Sequence, residues 1–305
     1  MLAIAGIIIV FIAVFGGYVL EQGNPHLLIQ PAEILIVVGA ALGIAIAANP
    51  PRVIRKIWNA ALEVLRAPLL TRRILLRYLL MLYETFQFAQ RSGMARLEED
   101  VEKPGTSRIF SRYPEFLRDA GIREFLCDSL RMLVIGATSA AELDHLMDLD
   151  IDIQRRGHHE PAAALGSLAE ALPGLGIVAA VLGVVITMGA IGGAPESVGQ
   201  KVAAALVGTF LGILLCYGVV GPLVLRLEGI IEQRSQFLQV LRAALSAYAR
   251  GAGPILAVEY ARRSIPVELR PSFLELEAVI KRDAAIPAMP DPAPGQKEAA
   301  PATAA

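Results

Sequence analysis

Thr187, Thr209, Cys216 and Tyr217 are the only hydroxyl- or thiol-bearing side chains inside two long apolar segments, Leu172–Ile191 and Val202–Leu225. Each segment is long enough for the roughly 20 residues that a helix needs to cross a bilayer, and neither holds an Asp, Glu, Lys, Arg or His. A polar path through them would be lined by those four side chains and by backbone. Proton conduction needs a group that binds and releases a proton at membrane depth, and an ionisable residue there is costly enough to be functional by default. The two segments supply none, so either they do not conduct or another chain brings the acid. Each carries a proline where the helix is expected to meet the cytoplasmic boundary, Pro173 and Pro222. Proline removes a helix hydrogen bond and bends the helix whether or not motion is needed, so the pair reads either as a static kink or as a hinge. Thr209 reads either as a hydroxyl facing water in the path or as a donor to the carbonyl one turn earlier.

The elements that must position these residues follow from hydropathy. The chain is 55% apolar, above the usual share of about half, and the excess is clustered, which marks an integral membrane protein. Two earlier runs, Leu2–Leu20 and Ile34–Ala48, form a hairpin, which makes four membrane helices, with Glu33 expected near one interface. The links Glu21–Glu33 and Gly192–Gln200 carry no Lys or Arg, whereas Arg52, Arg55, Lys56, Arg66, Arg72, Arg73 and Arg77 follow the second helix and Arg226 follows the fourth. By the positive-inside rule both termini and the long middle segment are cytoplasmic. The fold expected is therefore all-α. It comprises a membrane hairpin over 1–49, a cytoplasmic helical insert over 50–165, a second membrane hairpin over 166–225, a cytoplasmic helical extension over 226–282, and a disordered Ala/Pro-rich tail over 283–305.

Within the insert, Leu75–Ala89 repeats apolar residues too densely for a surface helix and must bury most of its faces. Gly93 ends or bends it, and Pro104-Gly105 marks a turn. Pro114 opens a helix expected to reach Gly136, and Ser139 with Glu142 fits a capping box for the next. The acids that follow, Asp144, Asp148, Asp150 and Asp152, are expected to form a negative surface. Gly39 with Gly43 and Gly208 with Gly212 match GxxxG, which lets helices approach closely and predicts packing. His158, His159 and Glu160 are adjacent rather than at metal-ligand spacing.

Six stretches, in order, carry a resemblance: Phe15–Tyr18, Gln30–Glu33, Pro173–Val184, Leu206–Leu215, Gly221–Leu223 and Arg270–Glu277. On a four-helix hydropathy profile with a large insert, they resemble the MotA family of flagellar motor stator subunits, part of the MotA/TolQ/ExbB proton channel family. The resemblance implies a homo-pentameric ring around a pair of MotB-like, peptidoglycan-binding subunits, whose single membrane helix brings an aspartate. Ions passing that aspartate would step the ring round, and the insert would push on the rotor switch protein FliG. No cofactor is implied; the group handled is the translocated ion, in a bacterial inner membrane.

The same resemblance assigns positions. Pro173 and Pro222 couple ion binding to movement, Thr209 lines the path, and Glu170 keeps an acid near the ion exit. Sodium-driven relatives tend to carry a Thr where this chain has Ala180, so the resemblance implies protons. The family places an Arg and a Glu around a Gly-Met step to meet charges on the rotor. Glu98 matches directly, whereas the aligned place of the Arg holds Gln90 with Arg91 after it, a shift that rotates a helical side chain by about 100°. Arg91 or Arg96 would take over, and Asp150 matches a further acidic position. The other readings are an ExbB- or TolQ-type energiser of outer-membrane processes, against which the extra hairpin argues, and a passive membrane scaffold. The sequence shows no phosphate-binding glycine loop and no nucleophile with a base, so the expectation is a mechanical transducer and not an enzyme.

Overall fold

The computed structural model describes residues 2–66, 70–136, 138–189 and 195–284, and every regular element among them is helical. Of the tail expected over 283–305, Asp283 and Ala284 close the last helix instead, and residues from 285 onward lie outside the described residues, as do 190–194 of the link between the third and fourth membrane helices. Among the described residues, four helices are long and apolar enough to cross a membrane.

Helix α1 (Leu2–Leu20) ends in a turn at Gln22, and a short α2 (Pro25–Leu28) follows, capped by the Asn24 side chain, which accepts from the His26 amide. Pro31 then opens α3 (Pro31–Ala48) at the first helical position, where its missing N–H would have had no partner anyway. α4 (Pro51–Arg66) follows the Asn49-Pro50 break and packs Val53 and Ala60 inward, Ala60 against Ala162, Leu227 and Ile231.

The head is built on α5 (Arg72–Ser92), which is buried along Leu75, Tyr78, Leu79, Leu80, Met81, Leu82, Thr85, Phe86 and Ala89, as the density of apolar residues requires. Gly93 ends it with φ +87°, a backbone conformation that suits glycine, and α6 (Met94–Glu102) leaves at a new angle. The helix expected from Pro114 to Gly136 is two helices, α7 (Pro114–Arg118) and α8 (Ala120–Ile135). The break is at Asp119, whose Oδ1 accepts the Ile122 amide at 3.1 Å and so caps α8 instead of continuing α7. Gly136 closes α8 in the left-handed region.

Ser139 and Glu142 form the expected capping box and start α9 (Ala140–Met188), 49 residues and about 70 Å long by helical rise. Pro161 and Pro173 both lie inside it, so neither starts a helix. The return path is α10 (Pro195–Leu215), a π-helical turn at Cys216–Val220, and α11 (Gly221–Ala249), again with no break between membrane and head. Residues 165–166 and 225–226 thus fall inside continuous rods. Gly251 (φ +88°) ends α11, and α12 (Pro254–Ser264) and α13 (Phe273–Ala284) complete the head. Its core joins Phe86, Phe110, Phe116, Phe125 and Phe237, with Tyr78 edge-on to Phe237 at 4.6 Å and Phe86 stacked on Tyr248 at 4.4 Å.

Candidate functional site

Helices α9 and α10 pack through small residues. A Cβ placed on Gly212 would come within 2.5 Å of the Leu172 carbonyl oxygen and 3.0 Å of Gly176 Cα, so only glycine permits this separation. At Gly208 a Cβ would lie 2.7 Å from the Ala179 Cβ and 3.3 Å from the Ala180 nitrogen, which places Ala180 at the same seam. Thr209 resolves its two readings in a third way: its hydroxyl donates across the seam to the Gly176 carbonyl at 3.4 Å. Thr187 does make the local bond, to the Gly183 carbonyl at 2.8 Å, and is buried. Gly39 and Gly43 are not part of any such contact and lie exposed on α3.

The seam contains an acid that comes from a third helix. Glu33, Val37 and Ala41 occupy one face of α3 at helical spacing and are buried against the α9–α10 pair. Glu33 is only 7% exposed, and its two carboxylate oxygens lie beside Gly183 and Gly208. Oε2 is buried with no hydrogen-bond partner among the described residues. Gly208 lies six residues past Val202, where the apolar run of α10 begins, about 9 Å along the axis, so Glu33, expected near one interface, is buried in the seam toward one end of the apolar segments. Hydropathy alone does not show this burial, because the residues that cover it belong to α9 and α10.

The two prolines expected to couple ion binding to movement sit in different geometries. Pro173 lies within α9 and leaves the Ala169 carbonyl without its helical donor. Pro222 follows the π turn, in which the Gly221 amide donates to the Cys216 carbonyl, one residue further back than in an α-helix. Its ring crowds the Gly218 carbonyl, and widening the turn relieves that clash. Pro161 shows how such a carbonyl is re-satisfied: Gly157, four residues earlier, accepts from Lys56 Nζ of α4 at 3.4 Å. That ammonium also pairs with Glu160 at 3.2 Å, and Arg52 pairs with Glu160 at 3.6 Å. Glu170 is exposed on α9 one turn before Pro173.

In the head, Gln90, Arg91, Arg96 and Glu98 are all exposed around the Gly93 corner, and no ion pair within the chain holds them among the described residues. Asp150 lies elsewhere, on α9, where it accepts from Gln154. The expected run of solvated acids is corrected for Asp144 and Asp148. Arg242 of α11 donates to both Asp144 oxygens, at 3.0 and 2.8 Å, and also to Asp148. Ser246 donates to Asp144 at 2.5 Å. The Arg242 guanidinium holds the Asp144 carboxyl down at about 2, and Arg262 with Arg263 does the same for Glu259. Burial pushes the Cys127 thiol up to about 11, so it is an inert core group.

A glycine-lined seam carrying a buried acid, set on rods that run unbroken out of the bilayer, defines a multi-pass membrane subunit of the ion-conducting kind. Comparison with known proteins narrows the class. Residues 4–93 match the motility protein A N-terminal family, and residues 118–239 match the MotA/TolQ/ExbB proton channel family. Motility protein A of Escherichia coli (strain K12) is 36% identical over 281 residues, 92% of this chain and 95% of the relative. Chemotaxis protein LafT of Vibrio parahaemolyticus is 34% identical over 272 residues, 89% of this chain and 95% of that one. Two solved structures share the fold. One is of C. jejuni MotAB, at TM-score 0.74 and 20% identity, covering 89% of this chain and 98% of that chain. The other is the flagellar MotAB stator complex from Bacillus subtilis, at TM-score 0.72 and 23% identity, covering 88% and 98%. The chain belongs to the motility protein A family of inner-membrane, multi-pass proteins.

Proposed function

We propose that this chain is the ring-forming subunit of a flagellar stator, coupling proton flow to torque. The observation that carries the reading is the continuity of α9 and of α10–α11 from the seam into the head. A change of packing at Pro173 and Pro222 reaches the head through rigid rods about 70 Å long, with no loop to absorb it. The outward faces of the rods, Ile177, Val181, Val184 and Val185 on α9 and Leu206 and Ile213 on α10, are apolar and uncovered in a single chain. Such faces suit both lipid and neighbouring copies, in keeping with a homo-pentamer around a MotB-like pair.

In this reading both termini are cytoplasmic, and the partner's membrane aspartate meets the seam near Thr209 and Ala180. Ala180 adds no oxygen to replace the hydration shell of sodium, which favours protons. The head presents Glu98 with Arg91 or Arg96 at the Gly93 corner to FliG. The ExbB/TolQ alternative is disfavoured, because the first hairpin matches the motility protein A N-terminal family. Deleting the gene tests the assignment: flagella that are built but do not turn support it, and normal swimming overturns it.

A further inference from the structure

The apolar segments Leu172–Ile191 and Val202–Leu225 hold no Asp, Glu, Lys, Arg or His, yet the seam between them is not free of charge chemistry, because α3 delivers Glu33 into it. We propose that Glu33 is a proton-binding station carried by this subunit itself, upstream of the acid supplied by the partner; the inference rests on the stator reading given above.

Three observations carry it. The side chain is more than nine-tenths buried between membrane helices, where leaving a carboxylate unpaired is expensive and a neutral carboxylic acid is far less so. Oε2 has no hydrogen-bond partner among the described residues, so none of them donates to that oxygen in the ionised form. The space that the carboxyl occupies is created by Gly183 and Gly208: a Cβ on Gly208 would come within 2.7 Å of Oε2, and one on Gly183 within 3.5 Å of Oε1. An aliphatic side chain on α3 would fill this notch more cheaply if packing were its sole purpose.

The charged groups around it leave the station free to cycle. On α10, Lys201 lies seven residues before Gly208 on the same face, about 10 Å away along the axis, and is exposed. On α9 the nearest ionisable residue is Glu170, thirteen residues from Gly183 and about 20 Å away. Tyr18, Glu21 and His26 belong to the α1–α2 end, and Arg52, Arg55 and Lys56 to the opposite end of α3. None of these sits against the carboxyl. Lys201 is placed to lower the cost of the carboxylate by a long-range, partly screened attraction and to repel a second cation from the entrance.

The cycle balances simply. A hydronium ion from the side facing Lys201 gives its proton to Oε2 and leaves as water. The neutral acid then gives that proton to a water in the path toward Thr209, restoring the carboxylate, and that water passes it to the partner's aspartate.

The test uses full-length chains with their partner in the deletion strain, scored for membrane level, rotation of a small bead on the flagellar hook at low load and its dependence on external pH. The wild-type chain restoring rotation checks the stator reading in the same assay, so the two ideas fail separately. Glu33→Gln keeps size and hydrogen bonding but cannot titrate; it is expected to reach wild-type membrane level and to lose about tenfold or more in low-load speed, with the external-pH dependence flattened. Glu33→Asp keeps the proton site on a shorter arm and is expected to retain rotation with a displaced pH profile. Glu33→Gln rotating at wild-type speed across the pH range overturns the proposal, as does loss of both variants from the membrane, which marks a packing role.

Discussion

The Glu33 carboxylate of α3 stands in the space that a side chain on Gly208 of α10 would need, 2.7 Å from where its Cβ would be. The same Cβ would press on the Ala179 methyl at 2.7 Å. The Ala179 methyl is fixed to its backbone and cannot retreat, so a shift of the Glu33 side chain alone would not relieve the clash. Gly208→Ala should therefore cost about 1–3 kcal/mol and force the two rods apart, seen as a lower melting temperature in detergent and loss of swimming. Gly43→Ala, where nothing lies within 4 Å, is the control and should be neutral for the chain's own stability. Equal melting temperatures for the two variants would refute the close-packed seam.

Arg242 ties α11 to α9 through both oxygens of Asp144 and through Asp148. The Arg242 side chain is only 20% exposed, so removing it leaves the partly buried Asp144 with the Ser246 hydroxyl in place of a cation. Arg242→Met should lower the melting temperature more than Asp148→Asn, and a double-mutant cycle with Asp144→Asn should return a coupling of about 1–2 kcal/mol. Arg242→Lys should recover only part of it, because a single ammonium cannot make the paired bonds. A coupling indistinguishable from zero would reduce the cluster to ordinary surface charge.

Asp144 and Glu259 are both held at about 2 by arginine partners. Ordinary unfolded carboxylates titrate near 4, so the folded head binds these protons more weakly than the unfolded chain does. Stability from the two groups is then fully present above about pH 5 and is lost as pH falls through 4 toward 2. The melting temperature of the purified complex should decline over that window. Asp144→Asn should start lower at neutral pH and show a shallower decline. An acid limb of unchanged steepness in this variant would contradict the assignment.

Glu98, Arg91 and Arg96 stand exposed at the Gly93 corner with no ion pair among the described residues, as a transient docking contact needs. Exposed pairs are individually weak and screened by salt, which suits a contact that must be broken at every step. Glu98→Lys should slow rotation without changing membrane level and should regain speed with a charge reversal on the rotor. Comparing Arg91→Glu with Arg96→Glu identifies which cation stands in for the family's arginine, since Gln90 occupies its aligned place. Full motility in all three single variants would remove this surface from the mechanism.

Much of the architecture was legible because it rests on local rules. The four apolar segments, the buried face of Leu75–Ala89, the Gly93 corner and the Ser139–Glu142 box are each written within a few neighbouring residues. What escaped was set by partners far along the chain. Asp119 could be read as one more helical acid until the Ile122 amide and Arg234 claimed its oxygens. Asp144 looked solvated because Arg242 is 98 residues away. The burial of Glu33 was not legible because the residues that cover it, Gly183 and Gly208, are 150 and 175 positions further along the chain. A signal was present even so: a single Glu directly before the apolar run Ile34–Ala48, on the same face as Val37 and Ala41, belongs to whatever that face packs against.

Pro222 offers the sharpest separation of motion from stability. Its ring crowds the Gly218 carbonyl, and the chain answers with a π turn closed by the Gly221 amide on the Cys216 carbonyl. The turn lies between the seam residues Gly208 and Gly212 and the head-bound α11, so any rotation of the head relative to the seam passes through it. Pro222→Ala restores an amide that can bond to Gly218 and removes the clash, so the regular α-helix becomes available and the variant should melt at the same temperature or higher. If the wide turn is a joint, that gain comes with loss of torque at normal membrane level. If Pro222 only packs, its replacement should lower the melting temperature and the amount of assembled complex together while the surviving complexes still rotate. The measurement is therefore a pair, melting temperature and rotation per assembled stator, and a joint requires the two to move apart.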